Sequence, residues 1–213
     1  MMMHPGKQKV RPFGYLVSLI CSLSLVLSNC EPNREFADQQ ALSAYLYSHD
    51  TYHQETNIGA TKLAITYRPT DLILSKEITP QTPPETLAEK RQEYRKYVYF
   101  QLALTYDEKE WLQQQVNNPV YGDLVRTLSF RMGQYIDLIT PSDTIPPVSA
   151  YHDRMYGLSK ATQLLLAFPR SVIEDHERFR LVIREFGGSL GMHAFEFRSD
   201  ELINEPFISF QNQ

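Results

Sequence analysis

Hydrophobic residues change their spacing several times along this chain, and each change marks a different element. From Leu16 to Leu27 they form one mostly apolar run. Phe36, Ala37, Ala41, Leu42, Ala44, Tyr45 and Leu46 then recur at helical spacing, which predicts an amphipathic helix over 35–48. From Thr61 the period falls to two. Leu63, Ile65 and Tyr67 alternate with Lys62, Ala64 and Thr66, a half-buried strand closed by Arg68-Pro69. Asp71–Lys76 continues it or forms a short helix, and Thr79–Pro84, with three prolines, is a loop. Thr86–Lys96 is charged and suits a helix. Tyr97–Tyr106, aromatic and branched, reads as the strongest strand.

Asp107 is placed to cap a short helix over Glu108–Val116, which Asn117-Asn118-Pro119 ends. Leu124–Ile139 reads as a long strand bent at Gly133. Strands are also expected at Val148–Met155 and Ala161–Phe168, with a turn at Tyr156-Gly157. Phe179–Glu185 and Met192–Arg198 flank a glycine-rich loop and form a hairpin-like pair. Ile203–Phe210 is a last edge strand or a docked tail. The sum is a mainly β domain of about seven strands with one to three short helices. Without βαβ alternation the sheet is antiparallel, as a sandwich first and a curved open sheet or partial barrel second.

The first apolar run carries a different message. Lys7, Lys9 and Arg11 precede it, and a dozen residues are too few for a comfortable membrane span, so it reads as an export signal. It ends in Leu27-Ser28-Asn29-Cys30, which resembles the lipobox of bacterial lipoproteins, although Asn29 is larger than the usual residue at its position. That resemblance implies cleavage before Cys30 and acylation of Cys30. Cys21 is a poor rival, since the apolar run continues beyond it. One acyl chain binds a bilayer marginally, with K about 10⁴ M⁻¹, and added chains make the anchor stable. The expected organisation is a signal peptide over 1–29, a tether with a possible helix over 30–56, and a β-rich domain over 57–213.

Charge narrows the partners. The leader holds three of the 21 Lys and Arg and none of the 25 acids, so 30–213 carries 18 basic and 25 acidic residues, a net charge of −7. Nucleic acid, bound by cations that displace counterions, is not expected. Nor is adhesion to anionic lipid; the membrane is met through the N-terminal lipid, and an envelope protein is the expected partner. Glu31, following Cys30, is not the aspartate that retains lipoproteins in the inner membrane of enteric bacteria, which favours the outer membrane.

Several residues invite chemistry. Tyr151, His152 and Arg154 form the most suggestive polar cluster, with Asp153 between them. On a strand His152 and Arg154 share one face while Tyr151 and Asp153 share the other, so His152 and Asp153 do not pair. The simplest reading is a His and an Arg that close a turn before Gly157. Gly187-Gly188-Ser189-Leu190-Gly191 fits the nucleophile-elbow pattern, but a strand rather than a helix follows it. His49 and His53 with Glu55 have metal-like spacing in a polar, solvated segment. His176 sits in a charged turn, and Trp111 is better explained by packing than as a ligand platform. No cofactor, metal or catalytic residue is assigned. The expected function is a non-enzymatic binding or structural component of the envelope. The alternatives are an envelope hydrolase using His152 or Ser189, or a small-ligand carrier with an apolar pocket between the sheets.

The order of several blocks resembles a family of uncharacterised outer-membrane lipoproteins of Bacteroidota. Gly59, Ile65, Tyr67, Pro69, Thr70 and Asp71 form one block and Tyr99–Leu102 a second. Phe130, Met132, Leu138 and Ile139 form a third, and Tyr151–Ser159 a fourth. Val148 and Asp153 stand where that family often has a cysteine and a phenylalanine. The resemblance implies an anchor and a location, and no activity.

Overall fold

Strands dominate the folded part of the chain, as the period-two stretches require. The computed structural model describes residues 1–2, 34–79 and 81–210. Met1–Pro32 and Asn33–Gln213 are separate units, and the export signal and Cys30 lie outside the described residues. In chain order the elements are β1 (Glu35–Phe36), α1 (Gln39–Tyr47), β2 (His53–Ile58), β3 (Thr61–Arg68), α2 (Thr70–Leu74), α3 (Pro84–Tyr94) and β4 (Tyr97–Tyr106). Next come β5 (Lys109–Glu110), α4 (Tyr121–Phe130), β6 (Ile136–Ile139), β7 (Thr144–Ile145), β8 (Ser149–Asp153) and β9 (Thr162–Pro169). The last are α5 (Ser171–Glu174), β10 (Arg178–Ile183), β11 (His193–Arg198), α6 (Ser199–Ile203) and β12 (Phe207–Ile208).

The larger sheet runs β2-β3-β4-β9-β8, with β5 added beside β4; the smaller runs β11-β10-β6-β7. Every pair within these two sheets is antiparallel. The parallel pair is β1 with β12, two residues long. The two sheets meet through aromatic rings. Phe100 of β4 lies 6.1 Å from Phe179 of β10 and 5.1 Å from Phe197 of β11, centroid to centroid. Phe168 of β9 packs edge-on against Phe100. All four are buried, and each contributes about 1.5–3 kcal/mol by leaving water. The space between the sheets is therefore filled by side chains. The architecture is the mainly β, sandwich-like one the periodicity predicts, and the predicted β10–β11 hairpin is present in register from Arg178 with Arg198 to Ile183 with His193.

Three local readings change. Leu124–Ile139 is not one bent strand but α4, a 3-10 turn over Met132–Gln134, and β6. Leu124 and Leu128 lie four apart and are both buried, so one helical face supplies the core. Asp107 does not cap a helix. It and Glu108 take φ of 45° and 59° and form the two-residue turn between Tyr106 and Lys109, a geometry that fits a β-hairpin. Only a 3-10 turn over Leu112–Gln115 remains of the helix expected there.

The tether expected over 30–56 is also revised from Arg34 onward. Asp38 caps α1 by accepting from the Ala41 amide at 2.8 Å, and Leu42 and Leu46 are fully buried. Arg34 bonds Glu201 Oε2 at 2.7 Å, and the Asn204 carbonyl as well. The expected helix thus forms, but docked into the body. His53–Ile58 pairs along β3 as the edge strand β2.

Candidate functional site

Strand β8 is the edge of the larger sheet and carries Tyr151 and His152. Register fixes where they point. His152 pairs with Leu164 and faces the core, whereas Tyr151 pairs with Leu165 on the outer face. His152 is 6% exposed, and among the described residues neither ring nitrogen has a hydrogen-bond partner. Burial, followed by the nearby Arg154 charge, pushes its pKa below the ordinary value. Arg154 lies past the end of β8. Its Nε donates to Ser129 Oγ at 3.0 Å, and its guanidinium stands 5.9 Å from the Phe130 ring. The cluster Tyr151, His152 and Arg154 is therefore dispersed over three environments. His152 does not bond the turn before Gly157; that turn is held by the Glu110 carboxylate, which accepts from the Gly157 amide.

The other candidates resolve into structure. Ser189 sits in the β10–β11 loop with φ 58°, and the Glu185 carboxylate accepts from the amides of Gly187, at 2.7 Å, and Gly191. His193 Nε2 donates to the Leu190 carbonyl at 2.7 Å and does not reach Ser189. His49 bonds the Tyr45 carbonyl, while His53 bonds Thr66 Oγ1 at 2.8 Å and approaches Glu55 at 3.6 Å. Among the described residues no group of three or more His, Cys, Asp and Glu could hold a metal ion. His176 contacts Ser142 Oγ at 3.2 Å. Trp111 is buried against Phe186, ring to ring at 6.1 Å.

Tyr67-Arg68-Pro69-Thr70-Asp71 does two jobs. Asp71, 2% exposed, takes Arg91 in a two-bond fork at 2.8 and 2.7 Å and the Ile208 amide at 2.8 Å. Glu205 receives the Tyr67 hydroxyl and the Thr70 amide, both at 2.8 Å, along with Arg95 at 2.9 Å and Arg170 at 3.3 Å. These saturated carboxylates fasten the C-terminal segment to β3 and α2. Nothing in the sequence pattern paired Glu205 with Tyr67 across 138 positions.

Between these two carboxylate anchors the block holds Arg68, which points the other way, onto the outer face of the larger sheet. There the registers align Thr66, Gln101, Leu165 and Tyr151 in one cross-strand row. The adjacent row runs through Ala64, Ala103, Gln163 and Asp153. A groove of about 140 Å³ opens on this face, lined by Arg68, Lys76, Gln101, Tyr151, Asp153 and Gln163, with Leu72, Ile73 and Leu165 as its apolar wall. No side-chain hydrogen bond or ion pair is made by any of the six polar residues among the described ones, whereas Asp71 and Glu205 nearby each accept several. Burial lowers the Arg68 pKa, with the Tyr47 phenol opposing. A wider depression of about 520 Å³ lies around Glu174–Arg178 and Arg198–Asp200. Its arginines are already matched, Arg198 with Asp200 and Arg178 with Glu196. The groove is thus a place where polar side chains converge without partners among the described residues. Tyr151 belongs to it; His152 and Arg154 do not. Arg68, Lys76, Gln101 and Gln163 were missed because strand pairing between distant segments, and no local motif, assembles them.

No family model, no curated protein and no solved structure matches this chain. Among the described residues no helix is long and apolar enough to cross a membrane.

Proposed function

We propose that this chain is a lipid-anchored, non-enzymatic binding component of a bacterial outer membrane, held by acyl chains on Cys30 and binding through the Arg68–Tyr151 groove. The observation that carries the binding half is the set of six polar side chains that line one groove and, among the described residues, make no side-chain hydrogen bond or ion pair. Catalysis needs a nucleophile or base within hydrogen-bond reach of a second group. His152 has no partner, and Ser189 has neither a histidine nor a carboxylate bonded to it. The anchoring half is supported by the basic n-region, the apolar run and Leu27-Ser28-Asn29-Cys30, and by the resemblance to outer-membrane lipoproteins.

Both halves have direct tests. Metabolic palmitate labelling marks the parent chain and leaves Cys30→Ser unmarked and released from the membrane fraction. A labelled or membrane-retained Cys30→Ser removes the anchor. In a deletion strain with an envelope phenotype, His152→Ala and Ser189→Ala restore the parent behaviour, while Arg68→Gln combined with Tyr151→Ala does not. The opposite pattern revives an enzyme.

A further inference from the structure

Among the described residues five arginines are partly or fully buried, and Arg68, half-buried at the end of β3, is the one whose side chain has no hydrogen bond or ion pair. Arg34, Arg91 and Arg170 each hold a carboxylate, and Arg131 donates to Thr127 Oγ1 at 2.9 Å. A cation withdrawn from water without a counter-charge is costly to keep, and its planar fork matches a carboxylate with two parallel bonds. Lys76, exposed just beyond α2, adds a second cation to the same groove.

The geometry points to a small organic carboxylate with an apolar stem as the ligand of this groove, its carboxylate on Arg68 with Lys76 beside it. The inference rests on the groove being a binding site and names what it binds. A volume of about 140 Å³ corresponds to roughly four or five waters at about 30 Å³ each, enough for a carboxylate and a few carbons. Leu72, Ile73 and Leu165 supply the wall on which those carbons leave water. Gln101 and Gln163 line the floor and bring amide donors and acceptors, and Tyr151 brings a hydroxyl from the edge strand.

Asp153 sets the other limit. It lies on β8, three strands from β3 in the sheet order, so the backbones that carry Asp153 and Arg68 are about 14 Å apart or more. No ion pair joins them among the described residues. An unpaired carboxylate at that end repels a second anionic group, so the groove discriminates against dicarboxylates long enough to approach it. The ligand carries its one negative charge at the Arg68 end.

The test uses the full chain in detergent micelles, with hexanoate, adipate and inorganic phosphate titrated against amide chemical shifts. Hexanoate is expected to saturate and to shift residues of β3, β8 and the end of α2. It should bind at least fivefold more tightly than adipate or phosphate. Arg68→Gln weakens hexanoate at least tenfold, and the exposed Lys76→Gln weakens it severalfold in a chain whose fold is unaltered. Asp153→Asn brings adipate close to hexanoate. Hexanoate binding that is unchanged in Lys76→Gln and in a folded Arg68→Gln overturns the assignment. So does phosphate binding as tight as hexanoate. If the groove variants abolish complementation while hexanoate fails to bind, the ligand class falls and the binding reading stands.

Discussion

The Tyr67 hydroxyl donates to Glu205 Oε2 at 2.8 Å, joining the inner face of β3 to a segment 138 positions away. Tyr67 is fully buried, and burial, reinforced by the Glu205 charge, raises its pKa well above the ordinary value. It therefore remains a donor throughout the physiological range. The Glu205 side chain is 3% exposed, and its second oxygen takes Arg95 and Arg170. The charges on the arginines, more than the phenol, require this carboxylate.

From that hierarchy comes a stability order. Glu205→Gln leaves the Arg170 guanidinium, whose side chain is 10% exposed, without its counter-charge, and is expected to destabilise by about 3–5 kcal/mol. Tyr67→Phe removes one of several donors and is expected to cost about 1 kcal/mol. Urea midpoints of the two variants decide it. Equal losses would show that the hydroxyl bond, not the charge balance, holds the C-terminal segment.

At Gly188 backbone and packing both demand glycine. Its φ is 76°, and a Cβ there would stand 2.5 Å from Trp111 Cζ2. Gly188→Ala combines left-handed strain of about 1–2 kcal/mol with overpacking of about 1–3 kcal/mol. The expected loss is a few kcal/mol with altered emission from the single tryptophan. Gly122, in the first turn of α4, has nothing within 4 Å of its Cβ position, so Gly122→Ala should stabilise by about 0.5 kcal/mol. Chemical denaturation followed by Trp111 fluorescence measures both. A neutral Gly188→Ala would mean that the loop relaxes away from the ring.

How far the sequence announced this depends on the range of the signal. Leu63, Ile65 and Tyr67 in β3, and Val98, Phe100, Leu102 and Leu104 in β4, all point inward, so period two located the core of the larger sheet. In α4 the same reasoning failed, because Val125, Thr127 and Phe130 suit a strand by composition while Leu124 and Leu128 bury a helical face. Packing outweighed propensity there. The Asp107-Glu108 turn was hidden for another reason: it uses positive φ without glycine.

The candidate site was legible in one respect only. Alternation along β8 separated Tyr151 and Asp153 from His152, and the registers agree. Which residues Tyr151 would meet could not be read locally. Gln101 reaches its row through β4 and β9, and Arg68 enters the groove from the end of β3. Pairings of that kind are properties of the folded sheet, and leave no period in the chain.

His152 offers the test in which titration and packing can be separated. Its two nitrogens are buried without partners, so His152→Leu removes unsatisfied polar atoms and is expected to stabilise by about 1–3 kcal/mol at pH 7.5. The folded-state pKa lies below the ordinary value near 6.5, chiefly through burial and then through Arg154, with Asp153 opposing. Between the two values the unfolded chain binds more protons than the folded one. Wild-type stability must therefore fall as the pH drops below about 6.5, and level off once the folded histidine also protonates. The advantage of His152→Leu should widen across the same window. Urea titrations of both proteins at half-unit steps from pH 7.5 to 4.5 give that difference directly. A difference that stays flat would show that the imidazole is free to reach water or a partner when it charges, and that the edge strand β8 opens to let it.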